Sequence, residues 1–266
     1  MGEERYPGAR REAAQRRSNV ALVIAVVILI AGGVAGVVYW RSRPAPLAPP
    51  VATTAPVAPP PQDAGIDAGE PPSPPRGVDA GTELHRAAGE LSRRPEWAAW
   101  LAEPHLISRL VAAAHRVADG ESPRPVLLFL APDRGFTAVS RGGELFPAPE
   151  STARYDLVTG IVTAIEPARA AEAYLRLDPF FEAAYREVAR PGERFAPVLH
   201  QAIHELLATP VPAEEPALVK NGTAFFYADE QLQKLHPAQK QLLRMGVVNA
   251  RAIQRWLAAF DRALPR

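Results

Sequence analysis

Two histidines four residues apart, His200 and His204 in the string HQAIH, are the first residues whose types and spacing could do chemistry. Imidazoles at i and i+4 share a helix face and can ligate one metal ion. The metalloprotease pattern carries a glutamate base where this chain has Gln201, so hydrolytic zinc chemistry lacks its proton acceptor. At about 100° per residue the pair also falls away from the stripe of Val198, Ala202 and Leu206, toward the solvated face. A third ligand would come from another segment, with His236 and Glu205 the candidates. No metal or other cofactor is expected.

A second set mixes cations with phenols. Arg154, Tyr155 and Asp156 are consecutive, and Tyr227 and Asp229 could join them in a buried polar lock, a structural role favoured over catalysis. Lys240 and Arg244 stand opposite Ala238 and Leu242, and Arg251, Arg255 and Arg262 opposite Ile253, Leu257 and Phe260. Such outward basic faces suit anionic headgroups, cell-wall carboxylates or an acidic partner, although a plain solvated face gives the same pattern. Arg154, Tyr155, Tyr227, Asp229, Lys240 and Arg244 are therefore candidate binding residues, and no catalytic residue is assigned. Carboxylates are plentiful, but spacing singles out no pair for glycoside hydrolysis. Neither G-x-S-x-G nor the phosphate loop G-x-x-x-x-G-K occurs, and Gly142-Gly143 reads as a turn.

The absence of cysteine excludes disulfides, thiolate metal sites and a cysteine nucleophile. From residue 83 onward, 22 Lys and Arg face 22 Asp and Glu, which argues against a nucleic-acid partner. The balance hides an asymmetry, because 14 basic residues face 19 acidic ones up to Ala217 and 8 face 3 from Leu218. Docking of the basic C-terminal part on the acidic remainder would satisfy both.

The elements that must position these residues are mostly helices. Thr82 is a plausible N-cap for ELHRAAGELSR; Trp97, Trp100 and Leu101 mark a second helix; Pro104 opens a third, whose face Leu106, Ile107, Leu110, Val111, Ala114 and Val117 ends at Asp119-Gly120. VLLFL (126–130) and FTAVS (136–140) read as short strands around a turn at 133–135. One helix carries Tyr155, Val158, Val162 and Ile165, Pro167 begins another, and Asp178-Pro179 caps a third with Phe181, Ala184 and Tyr185. Phe195, Val198, Leu199, Ala202, Ile203, Leu206 and Leu207 give the most regular period. Asn221-Gly222 is a hairpin turn, Asp229 a helix cap, Pro237 a helix start, Gly246 its left-handed end, and Asn249 opens the last helix. The fold class expected is mainly α, a multi-helix globular domain with one or two small β-hairpins.

The run Phe226-Tyr227-Ala228-Asp229, followed by Leu232, Leu235, PAQKQLLRMG and Asn249, resembles the bacterial envelope family known as domain of unknown function 3014. Further matches are Trp100-Leu101 with Leu106-Ile107, Arg154-Tyr155-Asp156, Tyr174 with Pro179 and Ala184-Tyr185, and the stretch from Phe195 to Leu207. They extend over most of residues 83–260. The chain departs from the family pattern at Val247, where a proline is usual, and at Gln233, where an acidic residue is usual. The resemblance implies a single-pass envelope protein and supplies no catalytic residues.

The N-terminal part gives an address. Residues 1–18 are a short tail with Arg5, Arg10, Arg11, Arg16 and Arg17, and residues 19–40 are expected to form a transmembrane helix. The uncharged run starting at Val20 and ending at Trp40, at about 1.5 Å per residue, matches the roughly 30 Å hydrocarbon core. The arginine bias keeps the N-terminus cytoplasmic and sends the rest to the periplasm, with the run acting as an uncleaved signal-anchor in the inner membrane. Gly32 and Gly36 form a G-x-x-x-G, a possible homodimer contact. Residues 41–82 are a disordered Pro/Ala-rich linker reaching on the order of 100 Å, and 83–266 the periplasmic domain. The expected function is a tethered, non-enzymatic binding or scaffolding module for an envelope protein or wall component. The alternative is an envelope hydrolase acting on peptidoglycan or peptide, metal-assisted through His200 and His204.

Overall fold

Phe181, Phe195, Trp256 and Phe260 mark the centre around which the helices pack. Phe181 stacks on Phe195 at 5.4 Å between centroids, and Trp256 on Phe260 at 5.1 Å. The computed structural model describes residues 72–132 and 135–265. The expected membrane run, its glycine pair and all of the linker before residue 72 lie outside them. Among the described residues no helix is long and apolar enough to cross a membrane.

Four helices build the core: α3 (Leu106–Ala118), α6 (Pro167–Arg186), α7 (Phe195–Leu207) and α10 (Val247–Ala263). Helix α3 lies along α7 and α6, and α10 packs on α6 and α7. Ala113 and Ala114 on α3 and Ala202 on α7 are fully buried, small enough to let these axes approach closely. Between them Leu110, Leu199, Ile203, Ile253 and Leu257 leave water, each worth about 1.5–3 kcal/mol. Helices α1 (Ala80–Ala88) and α2 (Pro95–Leu101) cover the outside, with the Trp97 indole N–H donating to the Ala88 carbonyl at 3.1 Å.

Local chemistry moves several boundaries away from expectation. The cap of α1 is Asp79, whose carboxylate accepts from the Thr82 amide at 2.8 Å, so Thr82 sits inside the first turn. Helix α3 starts after His105, held at φ 55°, and not at Pro104. VLLFL is no strand: Arg124–Val126 and Leu128–Leu130 are single 3₁₀ turns, the first of which contains Pro125, whose ring holds φ near the helical value. The expected helix through Tyr155 is two, α4 (Pro149–Ala153) and α5 (Asp156–Thr163), broken at Arg154-Tyr155. Asp178-Pro179 caps nothing, because α6 runs through Pro179. A proline costs the bond to the carbonyl four residues back, here that of half-exposed Leu175, while Leu177, Phe180 and Phe181 are buried on both sides of it. Tertiary burial outweighs the local break.

The strands also differ from two separate hairpins. β1 (Ala138–Arg141) pairs antiparallel with β2 (Glu144–Pro147) across Gly142-Gly143, and β3 (Leu218–Asn221) with β4 (Ala224–Tyr227) across Gly222-Thr223, one residue beyond the expected turn. Leu145 opposite Leu218 then joins β2 to β3, giving one four-stranded sheet in the order β1-β2-β3-β4. Helices α4 to α7 separate the hairpins in sequence and bring them together in space. Leu218, Tyr227, Leu232 and Leu243 form a small core of their own between this sheet, α8 (Glu230–Lys234) and α9 (Pro237–Leu243).

Candidate binding site

A pocket of about 240 Å³ opens between the sheet and the end of α9. Phe136, Pro147, Leu218, Phe225 and Tyr227 form its apolar walls, and Glu215, Gln233 and Arg244 supply its polar groups. Each wall is fixed by a local device. The Ser151 hydroxyl, fully buried, accepts from the Thr137 amide and donates to the Thr137 carbonyl, both at 2.8 Å, which seats Phe136 ahead of β1. Phe136 meets Phe225 at 5.4 Å between centroids with a 57° tilt. Asp229 caps α8, accepting from the Gln231 and Leu232 amides, and this positions Gln233 to accept from the Tyr227 amide at 3.0 Å.

Arg244 closes α9 and reaches the pocket half-buried; no described carboxylate forms an ion pair with it. Its charge lowers the phenols of Tyr155 and Tyr227, although burial is the larger influence and raises both. Glu215 faces the same pocket from the loop before β3. Its Oε1 accepts from the Val247 amide at the start of α10 at 2.8 Å, and its buried Oε2 has no hydrogen-bond partner among the described residues. Burial pushes this carboxyl above its ordinary range, with the Val247 amide pulling the other way.

The candidate residues converge only in part. Tyr155 and Tyr227 are both buried, 3 % and 7 % exposed, and both feel Arg244. Arg154 lies over the Phe136 ring at 5.8 Å and the Tyr155 ring at 5.0 Å, and donates to the Tyr155 hydroxyl at 3.3 Å. Asp156 and Asp229 are not in the expected lock: Asp156 accepts from the Asn249 amide group at 2.9 Å, and Asp229 is spent on its cap. Lys240 and Arg244 are not on an outward solvated face. Lys240 is half-buried, its ammonium donating to the Gln233 carbonyl at 2.9 Å, and burial first and Arg244 second depress its pKa. Periodicity missed Glu215, Gln233, Phe136 and Phe225 as site residues, because all four lie in irregular or short segments; Phe136 and Phe225 fall in expected strands, but nothing local says that they meet.

The histidines have another arrangement. Asp261 on α10 stands between them, 2.8 Å from His200 Nδ1 and 3.4 Å from His204 Nε2. His236 pairs with Glu205 at 2.6 Å, so neither extends that set. Among the described residues no three His, Asp or Glu side chains form a metal-holding group.

Sequence reasoning also missed Glu182. Its side chain is fully buried on α6; Oε1 accepts from the Phe195 amide at 3.1 Å and lies 3.4 Å from Arg194 Nε. A larger, open cleft of about 730 Å³ lies alongside, between His115, Tyr185, Glu193 and Gln201. There Tyr185 donates to Glu193 and Arg190 pairs with the same carboxylate, so its charges are largely engaged with one another.

No curated protein and no solved structure matches the chain. The model of one family, described as Protein of unknown function (DUF3014), matches residues 106–261, from the start of α3 to the carboxylate between the two histidines. That span is more than half of the chain and includes the sheet, α8, α9 and every residue of the pocket, and the chain therefore belongs to the DUF3014 family.

Proposed function

We propose that the chain is a binding module held at the inner membrane, with the pocket between the sheet and α9 as its working surface. Residues 20–40 serve as the anchor, the stretch from residue 41 up to the Asp79 cap of α1 as the tether, and the folded domain stands in the periplasm, where it engages an envelope protein or wall component. The anchor rests on the uncharged run and on the arginines before it. The binding role rests on one observation, that half-buried Arg244 lines a pocket together with Phe136, Phe225 and Tyr227 and has no ion-pair partner among the described residues. A half-buried cation in this setting is costly to keep unless something meets it.

Placing a photoreactive phenylalanine analogue at position 225 in the full-length protein, in cells, tests this. Light should yield one recurrent crosslinked species that disappears when Arg244→Gln is added. A crosslinking pattern that is diffuse, or indifferent to Arg244, would remove the pocket from the function.

A further inference from the structure

Resting on the binding-module reading, we infer that the pocket takes a carboxylate carrying one aromatic or branched apolar group, with the carboxylate on Arg244 and the apolar group against Phe136 and Phe225. Three features of the site select this chemistry.

Size comes first. A dry cavity of about 150 Å³ holds a benzene ring, and drug-sized sites begin near 300 Å³. The pocket, at about 240 Å³, therefore fits a ring or branched side chain plus one small polar group, and excludes a sugar chain or a folded segment.

Charge comes second. Arg244 presents a planar fork of donors that matches the two oxygens of a carboxylate. Among the described residues it is the cation lining the pocket, while nearby Lys240 is bound to the Gln233 carbonyl. Sites for doubly charged phosphates usually gather several donors or cations, so a singly charged anion is the better match. The acidic group on the wall, Glu215, has Oε1 engaged by the Val247 amide and Oε2 buried, while Arg244 also lines the space.

The walls come third. Phe136 and Phe225 meet at a tilt, with Pro147 and Leu218 beside them, so the edge or face of a third ring can complete the cluster. An anion with no apolar part would leave these walls wet.

Two sources carry the shared chemistry: a free small acid, or the C-terminal residue of a peptide. Titrating the full-length protein in lipid nanodiscs with four probes separates them: phenylacetate, phenylacetamide, acetyl-glycyl-phenylalanine and its C-terminal amide. Each acid should bind at least about tenfold more tightly than its amide, the value of one charge-assisted contact. Arg244→Gln should abolish that preference, and Arg244→Lys should keep part of it, at unchanged unfolding temperature. Much tighter binding of the peptide acid than of phenylacetate identifies a chain terminus as the ligand, and equal binding a free acid. Equal affinity for acids and amides, no binding by any probe, or a preference surviving Arg244→Gln overturns the inference. Failure of all probes alongside Arg244-dependent crosslinking from position 225 would reject the ligand class while leaving the module reading standing.

Discussion

Gly246 separates α9 from α10 at φ 89°, and a Cβ there would lie 2.7 Å from the Thr152 methyl and 2.9 Å from Glu215 Oε1. Gly246→Ala should therefore cost about 1–3 kcal/mol from the backbone alone, read as a lower denaturation midpoint; an unchanged midpoint would mean that the turn can relax. Glu215, which the same turn holds, makes a prediction in pH. Burial raises its carboxyl above the ordinary 4.5, so the folded protein binds more protons than the unfolded chain in the window above that value. Its contribution is complete below about 4.5 and is lost as pH rises through the folded value. Glu215→Gln escapes that loss, so the variant should gain stability relative to wild type on going from acidic to neutral pH. A difference that does not change with pH would mean that water solvates the carboxylate. Glu215 carried no signal in the sequence, and Gly246 only that of a helix end; the crowding around it comes from Thr152 and Glu215, far away along the chain.

At the scale of elements, the joints between helices are polar and buried. Asn249, expected to open the last helix, lies within its first turn instead, and its amide group donates to the Thr152 carbonyl and to Asp156. This ties α10 to α4 and α5. Glu182 plays the same part between α6 and the start of α7, which has no side-chain cap of its own: the Phe195 amide, one of its orphan donors, is satisfied from another helix. Glu182→Ala should cost about 2–3 kcal/mol in urea unfolding, since it strips a buried amide of a charged acceptor and frees half-exposed Arg194. A loss below ~0.5 kcal/mol would show that water replaces the carboxylate. Amphipathic stripes predicted where α3, α7 and α10 would lie, because burial of one face repeats every 3.6 residues whatever the partner. They could not predict that α6 continues through Pro179 or that VLLFL coils into 3₁₀ turns, since both outcomes depend on what packs across from them.

For the molecule as a whole, the proposal depends on the first 82 residues delivering the domain to the far side of the membrane. A phosphatase fused after Arg266 should be active, as only export permits, and removing residues 1–40 should leave the fusion inactive in the cytoplasm. Activity of the truncated fusion, or inactivity of the full-length one, would reverse the assignment. Direct pairing meets the charge asymmetry of the domain only in small part: Glu205 holds His236, whereas Asp261, on the basic side of the division, holds His200.

The sequence by itself determined the helical class, the second hairpin's turn to within a residue, the cap at Asp229, the helix start at Pro237, and family membership, because each of these is written in neighbouring residues. Only the tertiary structure decided that the two hairpins share one sheet, that Asp261 stands between the histidines, and that Arg244 is a pocket wall and not a surface charge. The physical reason is that a cation's burial is a property of whatever lies opposite it. Here that is Phe136, Glu215 and Phe225, which no local period connects to α9.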